Sequence, residues 1–275
     1  MPAEFTRIFS DIHYGDHASQ VGALSQIRPL LDGVTSLVLN GDTLDTRPGP
    51  TPQRTAEQRA EVAEFFPQHA SRVTFLTGNH DADFSSHHAL ELAHGAVFVT
   101  HGDVLYEDIV PWSKDAAFIR SRLAEEFAPL SETNRQQLEI RLGVFRRVAV
   151  SIPQRHQSER NPVKYFANLA NDTVWPPSRL FRILQAWREM PGRAATLVRE
   201  HRPRSKFILV GHTHRPGIWR QPDGTVVINT GSFTRPFGGC VVDVAEERLT
   251  VRRIAKRGRE FQVGATVGEF PLARA

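Results

Sequence analysis

Phe207-Ile208-Leu209-Val210-Gly211-His212-Thr213-His214 is the stretch from which the fold is read. A short apolar run of this kind reads as a strand, and the chain leaves it at a glycine. Two imidazoles at i and i+2 just past a strand can both reach one metal cluster if the backbone bends there. Four other segments share this build: Ser10-Asp11-Ile12-His13, Asn40-Gly41-Asp42, Gly78-Asn79-His80-Asp81 and Thr100-His101-Gly102-Asp103. Each begins where an apolar stretch stops.

Working outward, strands are expected over 6–10, 36–40, 72–77 and 96–100, with helical patterns over 22–31 and 55–69 between them. Strands separated by helical lengths imply βαβ units, hence an α/β fold with a largely parallel sheet. In such sheets ligands gather at the carboxyl ends of the strands, where every candidate ligand here falls. From about Tyr106 to Arg204 strand patterns vanish. Arg-rich amphipathic helices are expected over 114–128, 132–150, 161–171 and 178–189, with breaks at Pro129, Pro153, Pro176-Pro177 and Pro191-Gly192. The expected organisation is a core of 1–105 and 205–275 with a helical cap, 106–204, inserted in it. The C-terminal part is β-rich. Strands over 225–228, 240–244 and 249–254, the last two joined by a hairpin, suggest a second sheet stacked on the first, and 258–275 reads as a terminal extension.

The composition narrows the function. The single cysteine, Cys240, excludes a disulfide framework and any Cys-based zinc site. Met1-Pro2-Ala3-Glu4-Phe5 lacks a basic region followed by an apolar core, so no signal peptide is expected. No uncharged apolar stretch approaches the roughly 20 residues of a membrane span. A cytoplasmic protein is expected. The net charge of +4 hides an asymmetry: 114–206 carries 18 Lys and Arg against 9 Asp and Glu, the remainder 16 against 21. Acidic residues around the ligand motifs suit cations, and the basic block suits an anionic, phosphorylated substrate.

Asp11, His13, Asp42, Asn79, His101, His212 and His214 offer oxygen and imidazole nitrogen but no thiolate, a donor set for Mn²⁺, Fe²⁺ or Zn²⁺ rather than Ca²⁺. Seven ligands exceed the need of one ion. Two divalent ions roughly 3.5–4 Å apart, sharing a carboxylate, would use them all. His17, His69, His87, His88, His94, His156 and His201 read as exposed or locally hydrogen-bonded, with His87 and His88, soon after the Gly78-Asn79-His80-Asp81 loop, the first candidates for an exception.

This ordered set resembles the calcineurin-like metallophosphoesterase superfamily, whose motifs DxH, GD, GNHD, a single His and GHxH occur in order from Asp11 to His214. The resemblance implies an αββα sandwich of two mixed sheets and a dinuclear centre, with manganese the first expectation. By motif, Asp11, His13 and His214 would hold one metal, Asn79, His101 and His212 the other, and Asp42 would bridge them. His80 would contact the phosphate with Asn79 and protonate the leaving oxygen or stabilise charge there. Asp81, or Asp45, would orient a histidine. The implied reaction is hydrolysis of a phosphate ester or pyrophosphate by hydroxide generated at the two metals.

Gly211-His212-Thr213-His214-Arg215-Pro216, followed by Val227-Ile228-Asn229-Thr230-Gly231-Ser232, and His101-Gly102-Asp103 before an inserted helical segment, also look like the branch containing UDP-2,3-diacylglucosamine hydrolases. Members of that branch carry Arg where this chain has His80. In the cap, Arg146, Arg147, Arg155, Arg160 and Lys164, with Ser158 and Asn161, could clasp a diphosphate, because guanidinium groups bind phosphate oxygens bidentately. Phe118, Leu123, Phe127, Phe145, Leu180, Leu184 and Trp187 are expected to pack the cap together. A basic amphipathic cap could also dock on anionic lipid at the inner face of a membrane. Two alternatives are a nuclease, against which stands the lack of aromatic interleaving in the basic block, and a scaffold keeping the fold without the chemistry.

Overall fold

A computed structural model describes residues 5–49, 51–154, 164 and 176–272. The chain opens with β1 (Thr6–Phe9), β2 (Ser36–Asn40), helix α1 (Pro52–Phe65) and β3 (Arg72–Leu76), the three strands pairing in parallel. A short β4 (Ala89–Leu92) turns back antiparallel onto β5 (Val97–Thr100). Helices α2 (Ala116–Phe127), α3 (Glu132–Gln136), α4 (Leu138–Val150) and α5 (Pro177–His201) follow. Then come β6 (Phe207–Val210), β7 (Gly217–Arg220), β8 (Val226–Asn229), β9 (Cys240–Val244), β10 (Arg248–Arg257) and β11 (Glu260–Pro271). The first sheet has the order β11-β10-β9-β1-β2-β3 and the second β4-β5-β6-β8-β7.

Residue alternation explains the layering. Ile8, Val38, Val97, Val99, Phe207, Leu209, Ile228 and Val242 point into one apolar cluster between the sheets. Their neighbours Phe9, Leu37 and Leu39 face outward onto Ile27, Leu30, Val62 and Phe66, and so bury the inner side of α1 and a 3-10 helix at Leu24–Leu30. On the other side Phe98, Ile208, Val210 and Val227 pack against Ile119, Phe145, Val148, Met190, Ala194 and Val198 of the helical segment. Strands buried on both faces need a covering layer on each, and the result is an αββα sandwich. The helices from α2 to α5 thus form the fourth layer of the sandwich.

Several expectations change. The C-terminal hairpin does not build the second sheet: β9 pairs antiparallel with β1 and extends the first. The supposed extension is the long strand β11, whose alternation is broken by extra residues of its own opposite Val251 to Ile254 of β10. The helix expected over 132–150 divides at Gln137, which is extended at φ −76°, ψ 124°. Pro191 does not end α5, because the apolar stripe Ala186-Met190-Ala194-Val198 runs past it and buries the helix on the second sheet. Tertiary packing offsets the lost backbone hydrogen bond. Leu123 and Phe145 are buried as expected, whereas Phe118, Leu180 and Leu184 are 46%, 42% and 50% exposed and pack nothing together. Among the described residues no helix is long and apolar enough to cross a membrane.

Candidate metal centre

The strands β1, β2 and β3 run parallel, as do β5, β6 and β8, so the loops leaving their carboxyl ends meet at one edge of the sandwich. Backbone hydrogen bonds join these loops: Asp11 N donates to Gly41 O (3.1 Å), His13 N to Asp42 O (2.9 Å) and Gly211 N to His101 O (2.8 Å). Asp11, His13, Asp42, His212 and His214 all take positive φ, between 49° and 64°. These bends turn every side chain inward, as the i, i+2 spacing of the His212/His214 pair requires.

The ligand atoms converge in overlapping groups. Asp11, His13 and His214 bring theirs within 4.8 Å of one another, and so do Asp42, His101 and His212, and His13, Asp42 and His80. His214 Nε2 lies 3.2 Å from Asp11 Oδ1 and 3.1 Å from His13 Nε2. Asp42 Oδ2 is 3.3 Å from His101 Nε2, 3.7 Å from His13 Nε2 and 4.0 Å from His80 Nε2. The outer nitrogen of three of the rings is committed elsewhere. His101 Nδ1 donates to Asn40 O (3.0 Å), His212 Nε2 to Ile109 O (2.8 Å), and His214 Nδ1 bonds Thr234 Oγ1 (3.1 Å). Such partners fix which nitrogen is left to face a metal.

The donors fit the expected cations. Asn79 Oδ1 and His101 Nε2 are buried and have no hydrogen-bond partner among the described residues, and an orphaned acceptor this deep calls for a cation or water. Proton affinities carry the same signature. Burial alone would raise Asp11 and Asp42, yet the histidines around them hold both well below the usual carboxylate range. Burial alone would lower His13 and His101, yet Asp11 and Asp42 lift them to about 9 and about 10. His212, dominated by burial and by the neighbouring His101, falls to about 4. The concentrated negative charge that draws protons onto these rings is charge that divalent cations would neutralise.

Around this centre, Asp81 and Asp45 have different tasks. Asp81 accepts from Gly78 N (2.6 Å), Asp42 N (3.1 Å) and Thr43 N (2.7 Å), stapling the Gly41-Asp42 and Gly78-Asn79 loops together. Burial and the Asp42 charge raise it to about 6. The hydrogen bonds of its carboxylate go to backbone amides, which ties loops together at the site where a catalytic or orienting part is expected of Asp81. Asp45 is the carboxylate at the histidine: Oδ2 lies 3.0 Å from His80 Nδ1. Arg47, which the sequence reading missed, forks onto Asp45 (2.9 and 2.7 Å) and donates Nη2 to His80 Nδ1 (2.8 Å). Its only sequence signal is its place two residues after Asp45, whose Oδ1 also accepts the Arg47 amide.

His80, Asn79, Asp42, His212 and His214 open onto a cavity of about 170 Å³, whose other wall is Val110, Trp112, Ile183, Trp187 and Phe237. Trp187 is anchored by Nε1 donating to Thr213 O (2.9 Å), between the two histidines. Of the expected diphosphate clasp, Arg155, Ser158, Arg160 and Asn161 lie outside the described residues, and Lys164 is exposed. Arg147 pairs with Glu126 on the surface. Arg146 is corrected: it is 4% exposed and bonds Asp103 (2.7 Å) behind the centre, where no substrate reaches it. His88, bonded to Thr77 Oγ1 (2.7 Å), is a locally satisfied histidine, and His156 lies outside the described residues.

Residues 7–216 match the family model of the calcineurin-like phosphoesterases. No protein of the curated set matches the chain. Among solved structures, Vps29 from Cryptosporidium parvum is 12% identical with a TM-score of 0.47, covering 98% of this chain and 99% of its own. A dimetal phosphatase from Danio rerio is 15% identical with a TM-score of 0.45, covering 96% of this chain and 99% of its own. With the family model spanning the residues from β1 to just beyond His214, and every candidate ligand lying inside that span, the chain belongs to the calcineurin-like phosphoesterase family.

Proposed function

We propose that the protein is a metal-dependent hydrolase of phosphate esters or pyrophosphates. The observation that carries this reading is Asp42, a member of two of the three ligand groups. Asp11, His13 and His214 would hold one divalent cation, Asn79, His101 and His212 the second, and Asp42 both; manganese is the first expectation, iron or zinc the alternatives. When bound, such a pair supplies Lewis-acid charge for phosphoryl oxygens and an activated water. The remaining work falls to the chain. Of the two groups at His80 Nδ1, Arg47 Nη2 is nearer (2.8 Å) than Asp45 Oδ2 (3.0 Å); with Arg47 as the donor, the ring proton sits on Nε2, the nitrogen on the Asp42 side. From there His80 donates a hydrogen bond to the leaving oxygen, where charge builds up as the P–O bond breaks. Asp45 holds Arg47 in that position.

The test is hydrolysis of bis-p-nitrophenyl phosphate and p-nitrophenyl phosphate with Mn²⁺, Fe²⁺ or Zn²⁺, alongside metal content. Activity with bound metal, both lost in Asp42→Ala, is the expected result. No turnover by the metal-loaded protein over a panel of mono-, di- and pyrophosphate esters would leave a scaffold. A UDP-2,3-diacylglucosamine-type pyrophosphate belongs in that panel as the finer reading of the motif pattern.

Contact with a lipid surface is favoured by one observation. Leu180, Phe181 and Leu184 on the first turns of α5 are 42%, 67% and 50% exposed, and Ile183 of the same turns lines the cavity. Arg182 stands among them, giving the mixed basic and apolar face that binds anionic membranes. Cosedimentation with phosphatidylglycerol vesicles, lost in Phe181→Glu, tests this; equal sedimentation of both proteins refutes it.

A further inference from the structure

The cavity over the ligand cluster is small. At about 170 Å³ it falls below the roughly 300–1,000 Å³ of pockets that enclose a drug-sized ligand. A phosphoryl group can occupy it, but the rest of a larger substrate must lie outside. A groove of about 970 Å³ runs along α5 on its β7 side, and Trp187 lines both spaces. The connection is continuous in sequence as well: Thr213 and His214 line the inner cavity and Arg215 the outer groove.

The lip between the two spaces is a row of flat groups. Phe237 meets Trp187 edge-on at 5.4 Å. The exposed guanidinium of Arg215 lies over Trp187 at 5.7 Å and over Trp219 at 6.0 Å. Trp219 is held in place because Gly217 has no side chain; a Cβ there would stand 2.5 Å from the indole ring. Arg193, further along the groove, is spent on Glu189 and the Leu105 carbonyl. No carboxylate pairs with Arg215 among the described residues. A positive charge within 6.0 Å of two indole centroids beside the phosphoryl cavity offers a cation for a further anionic group next to rings on which a base can stack.

We infer that Trp187, Arg215 and Trp219 form a subsite for a nucleotide arm, the part of the substrate carrying a planar ring and negative charge next to the phosphorus under attack. The protein would then select phosphodiesters or pyrophosphates with a nucleoside arm over simple monoesters. This inference rests on the hydrolase reading above, and the experiment separates the two.

Thymidine 5′-monophosphate p-nitrophenyl ester is compared with p-nitrophenyl phosphate by kcat/KM in the Mn²⁺-loaded protein, and UMP binding is measured by calorimetry. The ratio of kcat/KM, nucleotide ester over monoester, is expected to fall about tenfold in Arg215→Gln and in Trp219→Ala, with the loss in KM, and UMP affinity to weaken by a similar factor. Trp219→Phe keeps a ring and should retain most of the preference, which guards against a folding defect. An unchanged ratio and unchanged UMP affinity in Arg215→Gln and Trp219→Ala would overturn the subsite while leaving the hydrolase intact. If neither ester is cleaved the hydrolase reading falls, and UMP affinity alone then decides: a tenfold loss supports the subsite, and equal affinity overturns it.

Discussion

Arg146→Met is the sharpest test of how the helical layer is tied to the metal-binding loops. Arg146 of α4 and Asp103, two residues after His101, form an ion pair with side chains 4% and 0% exposed. The pair is thinly supported, with one hydrogen bond of 2.7 Å, while Arg146 Nε and Nη1 and Asp103 Oδ2 have no partner among the described residues. Removing one member of such a pair strands a buried charge, at a cost of about 3–5 kcal/mol. With a urea m-value of about 3 kcal/mol/M, the unfolding midpoint of metal-free protein should drop by about 1–1.7 M. Adding Asp103→Asn removes the stranded charge and should recover at least about 2 kcal/mol, which a double-mutant cycle reads directly. The pH dependence follows from the same pair. Burial raises the Asp103 carboxyl, but Arg146, His101 and His212 outweigh it and hold it below its ordinary value. Its stabilising contribution is therefore present above the unfolded value of about 3.9 and lost as pH falls through the folded one. In Arg146→Met the largest of those lowering influences is gone, so the carboxyl shifts upward and the variant loses less on acidification. The gap between the two proteins should narrow from pH 7 towards pH 4. A loss below about 1 kcal/mol, or a double variant no better than the single, would refute this account.

Asp45→Asn removes the charge that holds Arg47 against His80, so kcat should fall about 10- to 100-fold with metal content unchanged; loss of metal along with activity would instead make Asp45 part of the metal-binding framework. Gly78→Ala would drive a Cβ into the Asp42 carboxylate and to 2.5 Å from the Asp42 amide, so Mn²⁺ affinity should weaken at least tenfold, as equilibrium dialysis would show. Chelation with EDTA should lower Tm by about 5–10 °C, since ligand at 100 times its Kd adds about 2.7 kcal/mol and each kcal/mol moves a chain of this size by about 2–4 °C. An unchanged Tm would mean that no metal was bound.

What the sequence made legible was the part fixed by local pattern. Apolar runs such as Ile8-Phe9 and Phe207 to Val210 mark strands whatever they pack against, and polar residues that end such runs mark the strand tips. That is why Asp11, Asp42, Asn79, His101, His212 and His214 could be grouped before any coordinates. The misreadings concern partners chosen across the fold. Arg146 looks like any other arginine of a basic helix until α4 packs it under Asp103, and nothing nearby in sequence announces that burial. Pro191 reads as a helix stop because the local rule is sound; the second sheet overrides it through Met190, Ala194 and Val198. β11 escaped because its own extra residues between Val263 and Gly268 break the alternation on which strand reading depends.

The least legible property is the backbone strain at the centre. Five of the seven expected ligands sit at positive φ without being glycine. At about 1 kcal/mol each, the low end for such residues, this is on the order of 5 kcal/mol, comparable with the net stability of many domains. Glycine would relieve the strain but would remove the ligand, so the chain must hold the conformation by other means. It does so with bonds that no single loop supplies: Asp11 N to Gly41 O, His13 N to Asp42 O, His212 N to the Asp11 carboxylate, and Asp81 across two loops. Gly41 and Gly78 stand where those loops touch, and a Cβ at either would collide with a ligand side chain, His101 or Asp42. Gly41 and Gly78 thus serve close approach between loops, while Asp11, His13, Asp42, His212 and His214 take positive φ as non-glycine residues that bring their side chains into the cluster. A cluster of ligand side chains gathered at strand ends needs both kinds of position, which gives a physical reason for the units Gly-Asp, Gly-Asn-His-Asp and Gly-His-Thr-His here.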